Sequence, residues 1–211
     1  MVTSSVLEDL ADRICACPRK HPLRVGIDGI DASGKTTLAD ALVAPVELRG
    51  RSVIRASIDH FHNPRSIRYR LGPDSPEGYF NDSFNYPILI SALLEPLGPD
   101  GDRRFRLRAY DVRADRPVES PVEIAPKNAV LILDGVFLQR PEIARFWDLV
   151  IFLDVPFEVA LKRAIQRDLP ILGSPEAVRE RYLRRYIPGQ QLYLLQCEPQ
   201  RRADIILRNG V

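Results

Sequence analysis

Eight residues near the start of the chain, Gly29-Ile30-Asp31-Ala32-Ser33-Gly34-Lys35-Thr36, fit the spacing G-x-x-x-x-G-K-[ST]. Chance supplies such a match well under about 0.01 times in a chain of this length. The residue types suit one chemistry. Backbone N–H groups from Ala32 to Thr36 can turn inward around phosphates, and a helix starting behind them adds its positive end. Gly34 lets the backbone approach closely, and Lys35 reaches the outer phosphates as a point charge. The Thr36 hydroxyl is a hard ligand for Mg²⁺, and Gly29, Ser33 and Thr37 complete the rim. The expected ligand is a nucleoside triphosphate, ATP, with Mg²⁺.

Phosphoryl transfer also needs a group to take the acceptor hydroxyl's proton, an acid for the metal, and cations over the moving phosphoryl group. Asp59 closes a strand in Ile58-Asp59-His60-Phe61-His62, and Asp134 closes the apolar run 130–133. Ligands of open α/β sheets bind beyond the carboxyl ends of the strands, which places both acids toward the phosphates. Asp59 then suits the base, with access to the metal, and Asp134 suits a direct or water-mediated metal ligand. A metal cage of Asp59, His60 and His62 lacks an evident fourth ligand. Arg163 and Arg167 lie four residues apart on one helix face. Pro170, Gly173 and Pro175 follow, so residues 163–176 read as a mobile lid that closes both guanidinium groups over the site. An exposed face with Arg167 beside Asp168 is an equal reading of the same residues. Arg181, Arg184 and Arg185 read as a solvated stripe, and Arg65, Arg68 and Arg70 as exposed or as receivers of an anionic acceptor.

The elements that must hold these residues alternate in type. Strands are expected at 25–28, 52–58, 129–133, 149–153 and 203–207, with helices at 36–48, 88–97, 157–167 and from Ser174-Pro175-Glu176 onward. Pro188-Gly189 should break or kink that last helix. Residues 104–110 and 118–124 suggest a small edge β-hairpin. The pattern is α/β: a five-stranded parallel sheet with helices on both faces, in one domain over 1–211 with a core at about 23–209.

With 211 residues, 45% hydrophobic, the chain can bury a core, and no apolar run is long enough to span a bilayer. Three cysteines, Cys15, Cys17 and Cys197, fit neither a disulfide framework nor a zinc site, which suits a reducing cytoplasm. The net charge is +2, carried by 26 Arg and four Lys against 28 acids, which argues against nucleic acid as a partner. No N-K-x-D sequence favours guanine, and there is little room for a motor or effector module.

These residues together resemble the uridine kinase (uridine–cytidine kinase) family of P-loop kinases, over about 23–209. The phosphate loop 26–37, Ser57-Ile58-Asp59-His60-Phe61-His62, Asn81-Asp82-Ser83-Phe84-Asn85, Tyr110-Asp111, Asp134-Gly135-Val136-Phe137-Leu138, the lid from Arg163 to Asp168 and Ala203-Asp204-Ile205-Ile206 carry the resemblance. It implies a P-loop kinase fold and a nucleoside 5′-monophosphate as product. It also implies an acceptor pocket that includes His62, Asp82, Tyr110, Asp111, Asp115 and Tyr186. The chain departs from the family in that pocket. Tyr79 stands near the family's ribose-binding acid, Asp115 stands where the family has a base-contacting His, and Asp134 replaces a Glu.

Three functions compete on this reading: an ATP-dependent nucleoside kinase, a kinase for another small molecule (a sugar, vitamin precursor or natural product), and a nucleotide-binding regulator or nucleic-acid binder.

Overall fold

The structure is a computed structural model and describes residues 3–208. Five strands form one all-parallel sheet in the spatial order Val53–Ser57, Val130–Gly135, Leu23–Gly29, Leu149–Asp154, Ile205–Arg208. The three middle strands are buried along almost their whole length, which accounts for their largely apolar sequences. Alternate residues serve opposite faces. Val130 and Ile132 pack with Leu10, Ile14, Leu38 and Leu42 of helices Ser4–Cys15 and Lys35–Leu48. Leu131 and Leu133 face Phe61, Phe80, Leu93 and Tyr193 on the other side. Each such fully buried Leu or Ile contributes about 2 kcal/mol.

Strand register places the site. Asp134 lies level with Ser57 on one side and Ile27 on the other, and Gly29 lies level with Leu153. The carboxyl ends of these strands therefore open on one edge, beneath loop 29–34. Gly29 has φ +149°, and a Cβ there would lie 2.8 Å from the Leu153 carbonyl oxygen. Gly34, at φ +99°, turns the chain into helix Lys35–Leu48.

Several elements differ from their sequence pattern. Residues 104–124 form two separate two-residue ladders, Arg104–Phe105 with Glu123–Ile124 and Tyr110–Asp111 with Arg116–Pro117, neither joined to the main sheet. Pro117 and Pro121 remove ladder donors, and Asp115 turns the chain at φ +49°. The helix expected at 88–97 starts at Tyr86, where Asn85 caps the Ile88 N–H, and passes into a π turn at Ile90–Leu94. Helix Phe157–Leu172 runs through Pro170 and stops only at Gly173, φ +84°, so most of residues 163–176, read from sequence as a mobile lid, is regular helix.

Pro188-Gly189 does not interrupt the last helical run. A π turn, Tyr182–Tyr186, joins helix Pro175–Arg181 to helix Ile187–Cys197, which places Pro188 in a first turn where its missing N–H matters little. The wider turn also divides the expected Arg stripe. Arg184 stays exposed and pairs with Glu180, while Arg181 donates to the Pro73 carbonyl. Arg185, by contrast, is only 2% exposed. It donates to the carbonyls of Arg68, Gly72, Pro73 and Ser75, with its guanidinium 4.7 Å from the Tyr69 ring centre. Burial pushes its pKa down. Arg185→Leu strips a buried cation's donors from four partly buried carbonyls and is expected to destabilise the fold by about 2–4 kcal/mol. Urea unfolding should show a lower midpoint at unchanged slope.

Among the described residues no helix is long and apolar enough to cross a membrane.

Candidate active site

The phosphate loop is tightly organised from within. Lys35 is 7% exposed, and its ammonium donates to the Ile30 carbonyl at 2.6 Å. Burial lowers its pKa, and the carboxylates of Asp31, Asp28, Asp134 and Asp59 oppose that shift. The Ala32 N–H donates to the Asp31 carboxylate at 2.9 Å and the Ser33 N–H to the Ile30 carbonyl at 3.2 Å. Two of the N–H groups expected to face phosphates therefore serve the loop itself. Those of the first helical turn, from Lys35, have no intrahelical acceptor and remain for an anion. Among the described residues the fully buried Ser33 hydroxyl has no hydrogen-bond partner, an orphan that suits a phosphate-binding rim.

Thr36 Oγ1 donates to Asp134 Oδ2 at 2.6 Å, so two hard oxygen ligands adjoin at the carboxyl edge of the sheet. Mg²⁺ is commonly held by one or two carboxylates together with substrate phosphates and water. Thr36 and Asp134 fit that role, and the ion would supply charge neutralisation at the phosphates. Among the described residues no cluster of three or more His, Cys, Asp or Glu could hold a metal by itself, so Asp59 does not complete a protein-only cage. Arg55, which sequence reasoning passed over, lies 2.8 Å from Asp134 Oδ1 and also bonds Asp40. It stands two residues before Ser57, on the strand paired with Asp134, and strand alternation was the only signal for it.

Two arginines of helix Phe157–Leu172 reach the loop differently. Arg163 donates to the Ser33 carbonyl at 3.3 Å. Arg167 forms a two-pronged pair with Asp31, at 3.1 and 3.2 Å, and a second with its neighbour Asp168, at 2.7 and 2.9 Å. The pairing with Asp168 anticipated from sequence is present, but it extends into the phosphate loop.

Asp59 sits two residues beyond its strand, in the 3₁₀ turn Ile58–Phe61, with its N–H capped by Ser57 Oγ. The residue is exposed at the surface, yet the protein packed around it desolvates the carboxylate. That desolvation pushes its pKa up, His62 opposes the shift, and Asp31 and Asp134 add to it. His62 Nδ1 lies 2.8 Å from the Asp59 carbonyl oxygen, which can only accept. The ring proton is therefore on Nδ1. Burial lowers the His62 pKa and favours the neutral ring, leaving Nε2 as an acceptor.

Beside His62 lies a pocket of about 110 Å³ lined by Phe61, Pro64, Asn85, Tyr110 and Pro117 among others. Asn85 Oδ1 accepts the Ile88 N–H, so its amide NH₂ is the donor side of this pocket. The acids placed near the acceptor by resemblance have other partners. Asp82 has both oxygens on Arg70, at 2.8 and 2.9 Å. Asp115 Oδ1 accepts from the Tyr110 hydroxyl, the Arg65 N–H and Arg68. Asp111 Oδ1 receives the N–H groups of Arg113 and Ala114. Tyr186 stacks between Tyr79 and Tyr182, with ring centres 4.9 and 5.0 Å away. Arg68 and Arg70 are thus partnered cations, and not the open anion receivers weighed from sequence.

Behind the loop, Asp28 is fully buried and accepts from the Gly29 N–H, Gln139 and the Tyr193 hydroxyl. Burial raises its pKa. An acid in a mostly apolar strand, one residue before Gly29, was a legible signal for this anchor. Its partners on distant helices were not.

Comparison with known proteins agrees with this geometry. Residues 25–210 match the family described as Phosphoribulokinase / Uridine kinase family. The chain is 27% identical over 197 residues to a uridine kinase from Bacillus cytotoxicus, covering 90% of this chain and 86% of that protein. It is also 27% identical over 213 residues to uridine kinase-like protein 5 of Arabidopsis thaliana, covering 97% of this chain but 43% of that longer protein. A solved structure described as a possible uridine kinase from Bacillus stearothermophilus superposes with a TM-score of 0.75 at 27% identity, covering 95% and 96% of the two chains. With a G-x-x-x-x-G-K-T loop at the carboxyl edge of a five-stranded all-parallel sheet, the chain belongs to the Phosphoribulokinase / Uridine kinase family and is a P-loop small-molecule kinase.

Proposed function

We propose that the chain transfers the γ-phosphoryl group of ATP, with Mg²⁺, to a primary hydroxyl of a nucleoside or nucleoside-like molecule. Asp59 takes the hydroxyl proton as the new oxygen–phosphorus bond forms and the bond to the β-phosphate oxygen breaks, releasing ADP. Lys35, Arg163 and the first turn of helix Lys35–Leu48 hold the phosphates, and Thr36 and Asp134 hold the metal.

One observation supports an uncharged acceptor most directly. The pocket beside His62 is lined by Phe61, His62, Pro64, Asn85, Ile88, Ala109, Tyr110 and Pro117, with no charged side chain among them. A phosphorylated sugar entering there would lose its hydration without a cation to receive it. A ring with one hydroxyl toward His62 Nε2 and one acceptor toward Asn85 loses little. A second reading, a different uncharged alcohol, is favoured by Asp82, whose two oxygens are already on Arg70 and are not open to a ribose diol.

ADP release measured against nucleosides, free sugars, vitamin precursors and sugar phosphates separates these readings. Turnover with a nucleoside and none with sugar phosphates is expected. Failure of every nucleoside overturns the nucleoside assignment, and preference for a phosphorylated acceptor overturns both readings of the pocket.

A further inference from the structure

A carboxylate inside a loop built for polyanionic phosphates is electrostatically unfavourable unless it does something there. Asp31 is that carboxylate, three residues before Gly34. Its side chain is 23% exposed and takes part in four contacts. Oδ1 receives the Ala32 N–H at 2.9 Å and Arg167 Nη1 at 3.1 Å, while Oδ2 receives Arg167 Nη2 at 3.2 Å and the Tyr182 hydroxyl at 2.6 Å. Its own N–H donates to Gln190 Oε1. Three elements thus converge on one loop residue: helix Phe157–Leu172 through Arg167, the π turn Tyr182–Tyr186 through Tyr182, and helix Ile187–Cys197 through Gln190.

We propose that Asp31 is a positioning residue, which fixes Arg167 and with it the lid helix at the phosphate loop, and that the chain accepts weaker nucleotide binding in exchange. This inference rests on the proposed binding of ATP at the loop. The two-pronged geometry sets both the position and the plane of the guanidinium, which a single contact would not. Asp168 alone cannot do this, because it is the neighbour of Arg167 on the same helix and moves with it. The Tyr182 hydroxyl, 2.8 Å from Arg167 Nη2 and 3.0 Å from Asp168 Oδ2, holds the pair at a single point without setting the guanidinium plane. Arg163, one turn before Arg167 on that helix, meets the Ser33 carbonyl only while the helix stays docked. The negative charge of Asp31 meanwhile opposes the phosphates. Arg167 and Lys35 hold its pKa down against burial, so the charge is present at neutral pH.

The two consequences have opposite signs, which a purely structural role would not give. Asp31→Asn keeps the size of the side chain and most loop contacts but removes the charge. Nucleotide affinity, read by calorimetric titration with Mg²⁺–ADP, is expected to equal or exceed that of the wild type. Turnover, read as ADP release with the best acceptor found for the wild type, or with water if none is found, is expected to fall about tenfold or more. Arg167→Ala should show a similar loss alone and add less than about twofold in the Asp31→Asn background. Tyr182→Phe, which removes one hydroxyl from this cluster but leaves the two-pronged ion pair in place, should lose less turnover than Asp31→Asn. Parallel loss of affinity and turnover, turnover within twofold of wild type, or losses that multiply in the double variant would each overturn the proposal. Absence of Mg²⁺–ADP binding by the wild type would instead overturn the function on which it rests.

Discussion

Asp59→Asn is expected to bind ATP almost as the wild type does and to lose turnover by about 10²–10⁴-fold. The split follows from position. Asp59 stands in the turn after Val53–Ser57, two residues beyond Ser57, which pairs with Asp134 across the strands, and among the described residues it makes no hydrogen bond to the backbone of loop 29–34. Asparagine keeps the shape and cannot take a proton. The pH profile gives a second, independent readout. Burial raises the Asp59 pKa, and the base acts only when ionised. Activity therefore rises with pH through the folded-state pKa, and the acid limb of kcat/KM lies above the range of an ordinary exposed carboxylate. That limb should vanish in Asp59→Asn, leaving a low and flat residual rate. ADP release across pH, paired with nucleotide titration, measures both. Full activity in the variant would remove Asp59 from the reaction and leave a nucleotide-binding regulator as the better reading.

What the sequence made legible is what local spacing controls. The phosphate loop, the two acids at strand ends and the α/β alternation are short-range patterns, and each element lies where its pattern put it within a few residues. Partner choice is long-range and was less accessible. The sequence shows three Arg between Asp59 and Tyr79, but not that Arg68 meets Asp115 forty-seven residues later or that Arg70 closes on Asp82. The Arg181, Arg184, Arg185 stripe failed for a local reason. Period 3.6 assumes an α-helix, and a π turn at Tyr182–Tyr186 rotates Arg185 off the solvated face into a cage of carbonyls. Hydrophobic periodicity carries no signal for an i→i+5 turn, although Pro188 just beyond it marks a place where the α ladder must change. Asp31 was in plain view as a variable position of the loop. Its role becomes visible only when Arg167, 136 residues away in sequence, is brought beside it.

Lys35→Met should abolish nucleotide binding without weakening the empty protein, and the contrast between those two results is the informative part. In the folded chain burial outweighs the four nearby carboxylates and lowers the Lys35 pKa. A lysine whose pKa falls on folding binds its proton less well in the native state than in the unfolded chain. At neutral pH, where the unfolded amine is charged, the ammonium therefore opposes folding. Methionine keeps most of the buried methylene volume and removes that penalty, so the thermal midpoint without nucleotide should stay the same or rise. With nucleotide the balance reverses. The triphosphate brings several negative charges to a loop already holding Asp31 beside Asp28, and only the Lys35 point charge and the first helical turn answer them from within the loop. At a concentration 100 times its Kd, ADP should stabilise the wild type by about 2.7 kcal/mol, and the variant by close to nothing. Turnover should fall by about 10²–10³-fold or more, since a preorganised charge is lost where transition-state charge develops. Thermal melts with and without Mg²⁺–ADP check the first claim, and ADP release checks the second. A variant that melts lower when empty, yet keeps its nucleotide shift, would make Lys35 a structural cation and assign the phosphate contacts to the helix terminus and Arg163 alone.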